Sequence, residues 1–272
     1  MWKELESLSN EPILHECGLL YFGDQDSSGV RDVILSLQAN HVAHRLLSPD
    51  LAKDFLPNLI LQSHEVAVFT PEAGWVNAAI ALQTTLTLAA SYGATMVPRT
   101  KVDCETLQQE FDAVVLAPGP WIRDFVRVDV QVTCQTFYYA SAMPSKGPVW
   151  IDDNTFAYGF PSEPGTQTTK LAFHRPGPAL EPDASRPQES DADVRSFLRR
   201  RFDAEPEIAS QTCLYTTTPD EGFRFGRLSG NVVWASACSG HGFKFGPWSG
   251  KMLADMVEGE AEVDRIPAFS GL

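Results

Sequence analysis

The run Asn231-Val-Val-Trp-Ala-Ser-Ala-Cys-Ser-Gly-His-Gly-Phe-Lys-Phe-Gly246 changes character within a few residues. Its first half is apolar and β-rich and reads as a buried strand. Glycines at 240, 242 and 246 then open a loop, because glycine adopts positive φ freely and lets a ligand or another backbone come close. Residues 247–257 follow with helical spacing and stop at Gly259, a residue type suited to the left-handed helix end. A strand, a glycine-rich loop and a helix in succession mark an α/β domain. Such a loop before a helix suits a bound cofactor or anion. Its spacing, Gly-x-Gly-x-x-x-Gly, departs by one residue from the dinucleotide fingerprint, and a tight structural turn would explain the same glycines.

Upstream, Cys213-Leu-Tyr215-Thr-Thr-Thr218-Pro219-Asp220-Glu221 sets a cysteine before a threonine-rich stretch. On its own, that cysteine reads as a small buried hydrophobe. Ser190 or Asp191 caps a short helix through Phe202, and the proline-rich 176–190 is a loop. Lys170-Leu-Ala-Phe-His174, read as a strand, points both ionisable side chains the same way. Alternation over 126–132 suggests a half-exposed antiparallel sheet. A strand at 66–69, a helix over 75–92 stopped by Gly93, and a buried strand at 114–117 read as one βαβ unit with a right-handed crossover. Residues 2–8 and 29–40 read as helices and 19–22 as a strand. His41 and His44 follow the second helix without a third ligand nearby, so no metal site is expected.

The 272 residues carry 21 Lys and Arg against 35 Asp and Glu, a net charge of −14. That sign argues against nucleic acid, which requires cationic neutralisation of phosphates, and against a polybasic membrane anchor. The chain is long enough to form a core without disulfide or metal staples. Five cysteines, at 17, 104, 134, 213 and 238, are scattered and never spaced as Cys-x-x-Cys, which speaks against a disulfide framework or zinc knuckle. No apolar run approaches the ~18 residues of a membrane span. A soluble, cytoplasmic α/β protein is expected.

Tyr158-Gly-Phe-Pro161, Lys170…His174, Cys213-Leu-Tyr-Thr-Thr-Thr-Pro-Asp-Glu and Ser239-Gly-His-Gly-Phe-Lys244-Phe, in that order, resemble the motifs of the monomeric sarcosine oxidase and N-methyltryptophan oxidase family of flavin amine oxidases. Thr70-Pro-Glu-Ala-Gly and Val114-Val-Leu-Ala-Pro-Gly119-Pro-Trp121 are similar as well, and the resemblance runs to about Phe269. It implies an incomplete FAD-binding α/β domain interleaved with a mixed-sheet substrate domain. The substrate part would comprise 1–65 and 126–218, and the FAD part 66–125 and 219–272. The implied activity is oxidation of the C–N bond of a secondary amino acid, N-methyl or cyclic. Oxygen is the acceptor, and the products are an imine and hydrogen peroxide.

Carried over by motif, Cys213 matches the cysteine that joins FAD covalently. Lys170 matches the lysine that promotes reaction with oxygen, with His174 beside it as a catalytic residue. Lys244 matches the cation that grips the substrate carboxylate, and Tyr158, Tyr215 and His241 match positions lining the substrate pocket. Gly119, Trp121, Gly240, Gly242 and Phe243 fall at FAD contacts. A lysine fixed where negative charge develops on oxygen would act by preorganised electrostatics. A cationic neighbourhood would favour the reactive thiolate at Cys213.

The resemblance also implies a strand, Gly-x-Gly-x-x-Gly and a helix with an acidic residue for the ribose, together with an arginine that shares the carboxylate with Lys244. No such glycine run occurs in these 272 residues, and the stretch between Lys101 and Val114 is short. The parallel sheet of the FAD part would then keep an open edge. Two alternatives stay open: a truncated, non-catalytic remnant or binding protein that no longer holds FAD, or a chain whose FAD part a second chain completes. A cysteine hydrolase using Cys213 with His174 or His241 is disfavoured, since no acidic orienter accompanies the pair.

Overall fold

The computed structural model describes residues 1–141, 146–162, 165–187, 190–228 and 230–261; the tail 262–272, assigned above to the FAD part, lies outside them. The first half holds α1 (Trp2–Ser9), β1 (Leu14–Glu16), β2 (Leu19–Asp24), α2 (Ser28–Ala39), β3 (Arg45–Leu47), α3 (Pro49–Ala52), β4 (Glu65–Thr70), β5 (Gly74–Val76), α4 (Ala78–Ser91), α5 (Cys104–Glu110) and β6 (Val114–Leu116). Then come β7 (Gln131–Ser141), β8 (Val149–Asp152), β9 (Ala157–Gly159), β10 (Thr168–Phe173), α6 (Ala192–Phe202), β11 (Ile208–Thr217), β12 (Arg224–Arg227), β13 (Val232–Ser236) and α7 (Gly246–Glu258). Two 3-10 turns, Gly119–Asp124 and Phe243–Phe245, precede β7 and α7.

An eight-stranded mixed sheet runs β11-β7-β10-β9-β8-β2-β4-β3, and a three-stranded sheet runs β12-β13-β6. Among the described strands of the large sheet only β2 and β8 run parallel. The chain enters the large sheet, leaves it for β6, returns for β7 to β11 and ends in the small sheet.

Period-2 alternation gives the large sheet two unlike faces. Leu20, Phe22, Ala67, Tyr138, Ala140, Trp150, Ala157 and Leu171 point to one face and form a core with Val194, Phe197, Leu198 and Phe202 of α6. The opposite face carries the odd-numbered residues of β7 and β11 and the even-numbered residues of β10. In the small sheet, Val233 and Ala235 pack with Leu253 and Met256 of α7. Val232 and Trp234 turn the other way, onto a cluster that includes Leu107 of α5 and Ile122.

The βαβ unit expected over 66–117 does not form. β4 pairs antiparallel with β2 and with β3, whereas β6 lies parallel to β13 in the other sheet. With both edges of β4 occupied, α4 is not a crossover between parallel neighbours. The boundary placed at 65/66 falls on the first residues of this strand. The helix expected from Trp75 begins at Ala78, because Trp75 belongs to β5, pairs with β1 and stacks on His15 at 4.2 Å. Asn77 caps α4 by accepting from the Ile80 amide at 3.2 Å. Its other end follows the expected pattern, with Gly93 at φ 95 just past the cap. The alternating valines 126–130 do not join the ladder, which starts at Gln131; Val126 and Val130 are buried in the small-sheet core instead.

Beneath α6 lies a buried ion cluster. The Arg201 guanidinium donates twice to Glu65, at 2.7 Å each, and once to Asp152 at 2.9 Å. Asn154 donates to Glu65 at 3.0 Å and Thr155 to Asp152 at 2.7 Å. Burial alone would raise the Glu65 carboxyl, but the Arg201 hydrogen bonds, the Gln62 amide and the Arg201 charge outweigh it and hold the group below its ordinary value. Arg201→Met would strand two buried carboxylates and is expected to lower the unfolding free energy by about 3–5 kcal/mol, read from chemical denaturation midpoints. Because the folded value of Glu65 is depressed, its stabilisation is complete above the unfolded carboxylate range of about 4.3 and drains away as pH falls through the folded value. Glu65→Gln should flatten that acid limb of the stability curve.

Candidate active site

The large-sheet face opposite α6 collects ionisable side chains. Lys170 on β10 lies across from Tyr139 of β7, and Cys213 on β11 lies across from Gln135. Tyr158 on β9 is opposite Ala172, and Tyr215 is opposite Thr133. All four candidate side chains therefore project to one side. The Lys170 ammonium sits 4.4 Å from the centre of the Phe137 ring. Phe137, Tyr139 and Gln135 were missed by the sequence reading, although their i, i+2 spacing in β7 already placed them on a single face.

Burial pushes the Cys213 thiol up from its ordinary value. The charge of Lys170 pulls it back, Cys134 and Cys238 push it further up, and Arg186 pulls it down. Lys170 and Cys213 thus lie within electrostatic reach of each other, on strands separated by β7. Burial also raises both phenols, Tyr158 and Tyr215. A hydrogen bond links the two hydroxyls. Both stay neutral near pH 7.

The Cys238–Gly242 loop closes the outer edge of β11. Ser239 N donates to Thr216 O at 2.9 Å, and Thr216 N donates to the Cys238 sulfur at 3.5 Å. Gly240 has φ +74, and a Cβ there would stand 2.5 Å from the Tyr215 ring. At Gly242 a Cβ would fall 1.8 Å from the Ala237 carbonyl oxygen. Close packing therefore requires glycine at both positions, and at Gly240 the positive φ does so as well. His241 places Nε2 3.0 Å from Glu221 O and stacks its ring on Phe223 at 5.0 Å.

Lys244 is exposed by surface area, yet burial lowers its ammonium from the ordinary lysine value. Phe243 beside it is half exposed. His174 lies exposed one residue beyond the end of β10, its amide donating to Phe156 O at 2.8 Å. Gly119 and Trp121 occupy the turn after β6, where Trp121 donates to Asp183 at 3.0 Å. The structure therefore joins Lys170, Cys213, Tyr158, Tyr215 and Gly240 directly, links Lys244 to them through the loop, and sets the Gly119–Asp124 turn against β11.

A cavity of about 750 Å³ opens at the end of β7 and β11, lined by Arg123, Asp129, Gln131, Glu181, Thr217 and Glu221 among others. Its lining includes neither Lys170 nor Cys213, and its one cation here, Arg123, already meets Glu181 at 3.4 Å. Among the described residues no group of three or more His, Cys, Asp or Glu could hold a metal ion. No helix among them is long and apolar enough to cross a membrane.

Residues 1–256 match the family described as FAD dependent oxidoreductase. The chain is 25% identical to N-methyl-L-tryptophan oxidase of Yersinia pestis (strain Pestoides F), over 99% of this chain and 80% of that protein. The fold is similar to that of NikD, an unusual amino acid oxidase essential for nikkomycin biosynthesis, with a TM-score of 0.78 at 22% identity over 96% of this chain and 77% of the other. It is also similar to L-proline dehydrogenase from P. horikoshii, with a TM-score of 0.81 at 18% identity and the same coverage, 96% and 77%. The mixed α/β architecture with its mixed sheets is the one these structures share.

The neighbourhood of Cys213 makes its reactivity a test of the site. Lys170→Met removes a charge that favours the thiolate, so the thiol should titrate higher and react several-fold more slowly with iodoacetamide near pH 8. Peptide mapping would separate Cys213 from the other cysteines, and an unchanged rate would show the two groups to be uncoupled.

Proposed function

The chain belongs to the FAD-dependent oxidoreductase family, and from that membership we propose that it is an oxidase of secondary amino acids, N-methylated or cyclic. The substrate C–N bond is oxidised to an imine, oxygen accepts the electrons, and hydrogen peroxide leaves. The observation that carries this reading is the gathering of Lys170, Cys213, Tyr158 and Tyr215 on the one large-sheet face that α6 does not cover. The relatives named as N-methyl-L-tryptophan oxidase and L-proline dehydrogenase favour the substrate class.

The residues fit the ring end of FAD. Cys213 is half exposed beside a cation, and the loop at Gly240 and Gly242 brings its backbone close to the same face. FAD, when bound, supplies a two-electron acceptor that oxygen regenerates. In this reading Cys213 provides the sulfur for a covalent link, while the Cys238–Gly242 loop and Phe243 border the ring, with Gly119 and Trp121 contributing from the turn set against β11. Lys170 holds positive charge where reduced oxygen becomes negative. Lys244 grips the substrate carboxylate as a compact point charge. Tyr158 and Tyr215, neutral and already hydrogen-bonded, orient the amine end, with His241 and the exposed His174 as the remaining polar groups.

The dinucleotide end has no Gly-x-Gly-x-x-Gly cradle in these residues. Among the described residues β6 pairs only with β13, and its Val115 is 47% exposed. A second chain that brings the cradle to this edge is the partner the reading calls for. The same missing cradle favours the alternative, a binding protein that keeps the amino-acid pocket without FAD. The protein's free cysteines suit a cytoplasmic setting.

Purified protein incubated with FAD and then precipitated with acid should retain flavin absorbance, and Cys213→Ala should release it. Colourless protein that binds no FAD would support the non-catalytic alternative. Covalent flavin persisting in Cys213→Ala would remove that cysteine from the link. Lys170→Met should slow reoxidation by oxygen far more than reduction by substrate, measured in separate stopped-flow half-reactions.

A further inference from the structure

Lys244 sits on the short turn Phe243–Phe245, one residue before Phe245, the N-cap of α7. Its carbonyl precedes the helical hydrogen-bond ladder and is free to accept from another donor. The indole N–H of Trp2 donates to it at 2.9 Å. The Trp2 ring also stacks on Phe243, centroids 5.9 Å apart with 17° between the planes. On the other flank, Phe245 meets the edge of Phe223 at 5.5 Å, and the Lys244 ammonium lies 5.4 Å from the Phe245 ring centre. Lys244 is thus held by the rings on either side and by its own carbonyl.

Trp2 is itself well anchored. The Glu6 carboxylate on α1 accepts from the Ile13 and Leu14 amides at 2.8 Å each, which ties α1 to β1. Asn10, at φ 59, ends the helix in the left-handed region and donates its amide to Glu6 O at 2.7 Å. Among the described residues no carboxylate pairs with the Lys244 ammonium. Its aim therefore comes from the backbone and not from a partner charge.

We infer that Trp2 is a positioning residue for Lys244: its indole hydrogen bond and its stack on Phe243 fix the direction in which the Lys244 ammonium meets a ligand carboxylate. This rests on the proposed reading of Lys244 as the carboxylate cation. Trp2→Phe keeps a stacking ring and removes the N–H, which separates aim from bulk packing.

The test pairs two readouts. In FAD-loaded protein, calorimetric affinity for N-methylglycine should weaken about fivefold in Trp2→Phe, the size of one neutral hydrogen bond, while affinity for dimethylamine, which lacks the carboxylate, stays constant. In a Lys244→Met background Trp2→Phe should add nothing. Without FAD or substrate, the pH profile of Lys244 acylation, mapped by mass spectrometry, should move toward that of an ordinary lysine in Trp2→Phe, with thermal stability nearly unchanged. If Lys244→Met leaves N-methylglycine affinity untouched, the carboxylate role falls and the inference with it. If Lys244→Met weakens binding while Trp2→Phe alters neither affinity nor acylation profile, the inference alone is overturned.

Discussion

Arg201 reaches from the last turn of α6 to Glu65 at the start of β4 and Asp152 at the end of β8, with Phe22 of the intervening β2 beneath its guanidinium at 5.5 Å. Three charges are taken out of water here, and such clusters contribute little net stability over a well-packed apolar substitute. What the cluster supplies is uniqueness of arrangement. Only one placement of α6 satisfies both carboxylates, so the helix covers one face of the large sheet at one height. The helix does not cover the other face, and the candidate chemistry stands on it.

The two sheets meet functionally at the edge of β11. The Cys238–Gly242 loop leaves β13, docks on the free backbone groups of Thr216 and leads into the Lys244 turn. The small sheet thereby fixes the loop, the loop covers the strand that carries Cys213 and Tyr215, and α7 continues from it. An edge that would otherwise invite foreign strands is occupied by the protein's own backbone. Gly240 is indispensable to this contact, because only a residue without a side chain can lie against the Tyr215 ring.

Much of this was legible in the sequence, wherever the signal was local. The run from Asn231 to Gly259 declared its strand, loop, helix and stop, and Asn77, Gly93 and Gly259 act as the punctuation their chemistry suggests. Partnership between distant segments was not legible. Nothing in Val66–Phe69 says that β2 and β3 will take both its edges, and Trp75 looks helical until its β1 partner is known. At the site, two-residue alternation placed Lys170 to one side of its strand and the motif singled out Cys213, but their common face depends on the pairing of each with β7. Phe137 escaped notice because it neither titrates nor ligates.

β7 is the shared rail on which the site runs, with Lys170 registered against one of its edges and Cys213 against the other. Inserting or deleting a single residue within Gln131–Ser141 would invert the remainder of the strand and send its side chains to the opposite surface. Phe137 would then point into the hydrocarbon interior, and Tyr138 would move outward. Descendants of this chain are accordingly free to drift in loop length on either side of β7, whereas the strand's own residue count is locked.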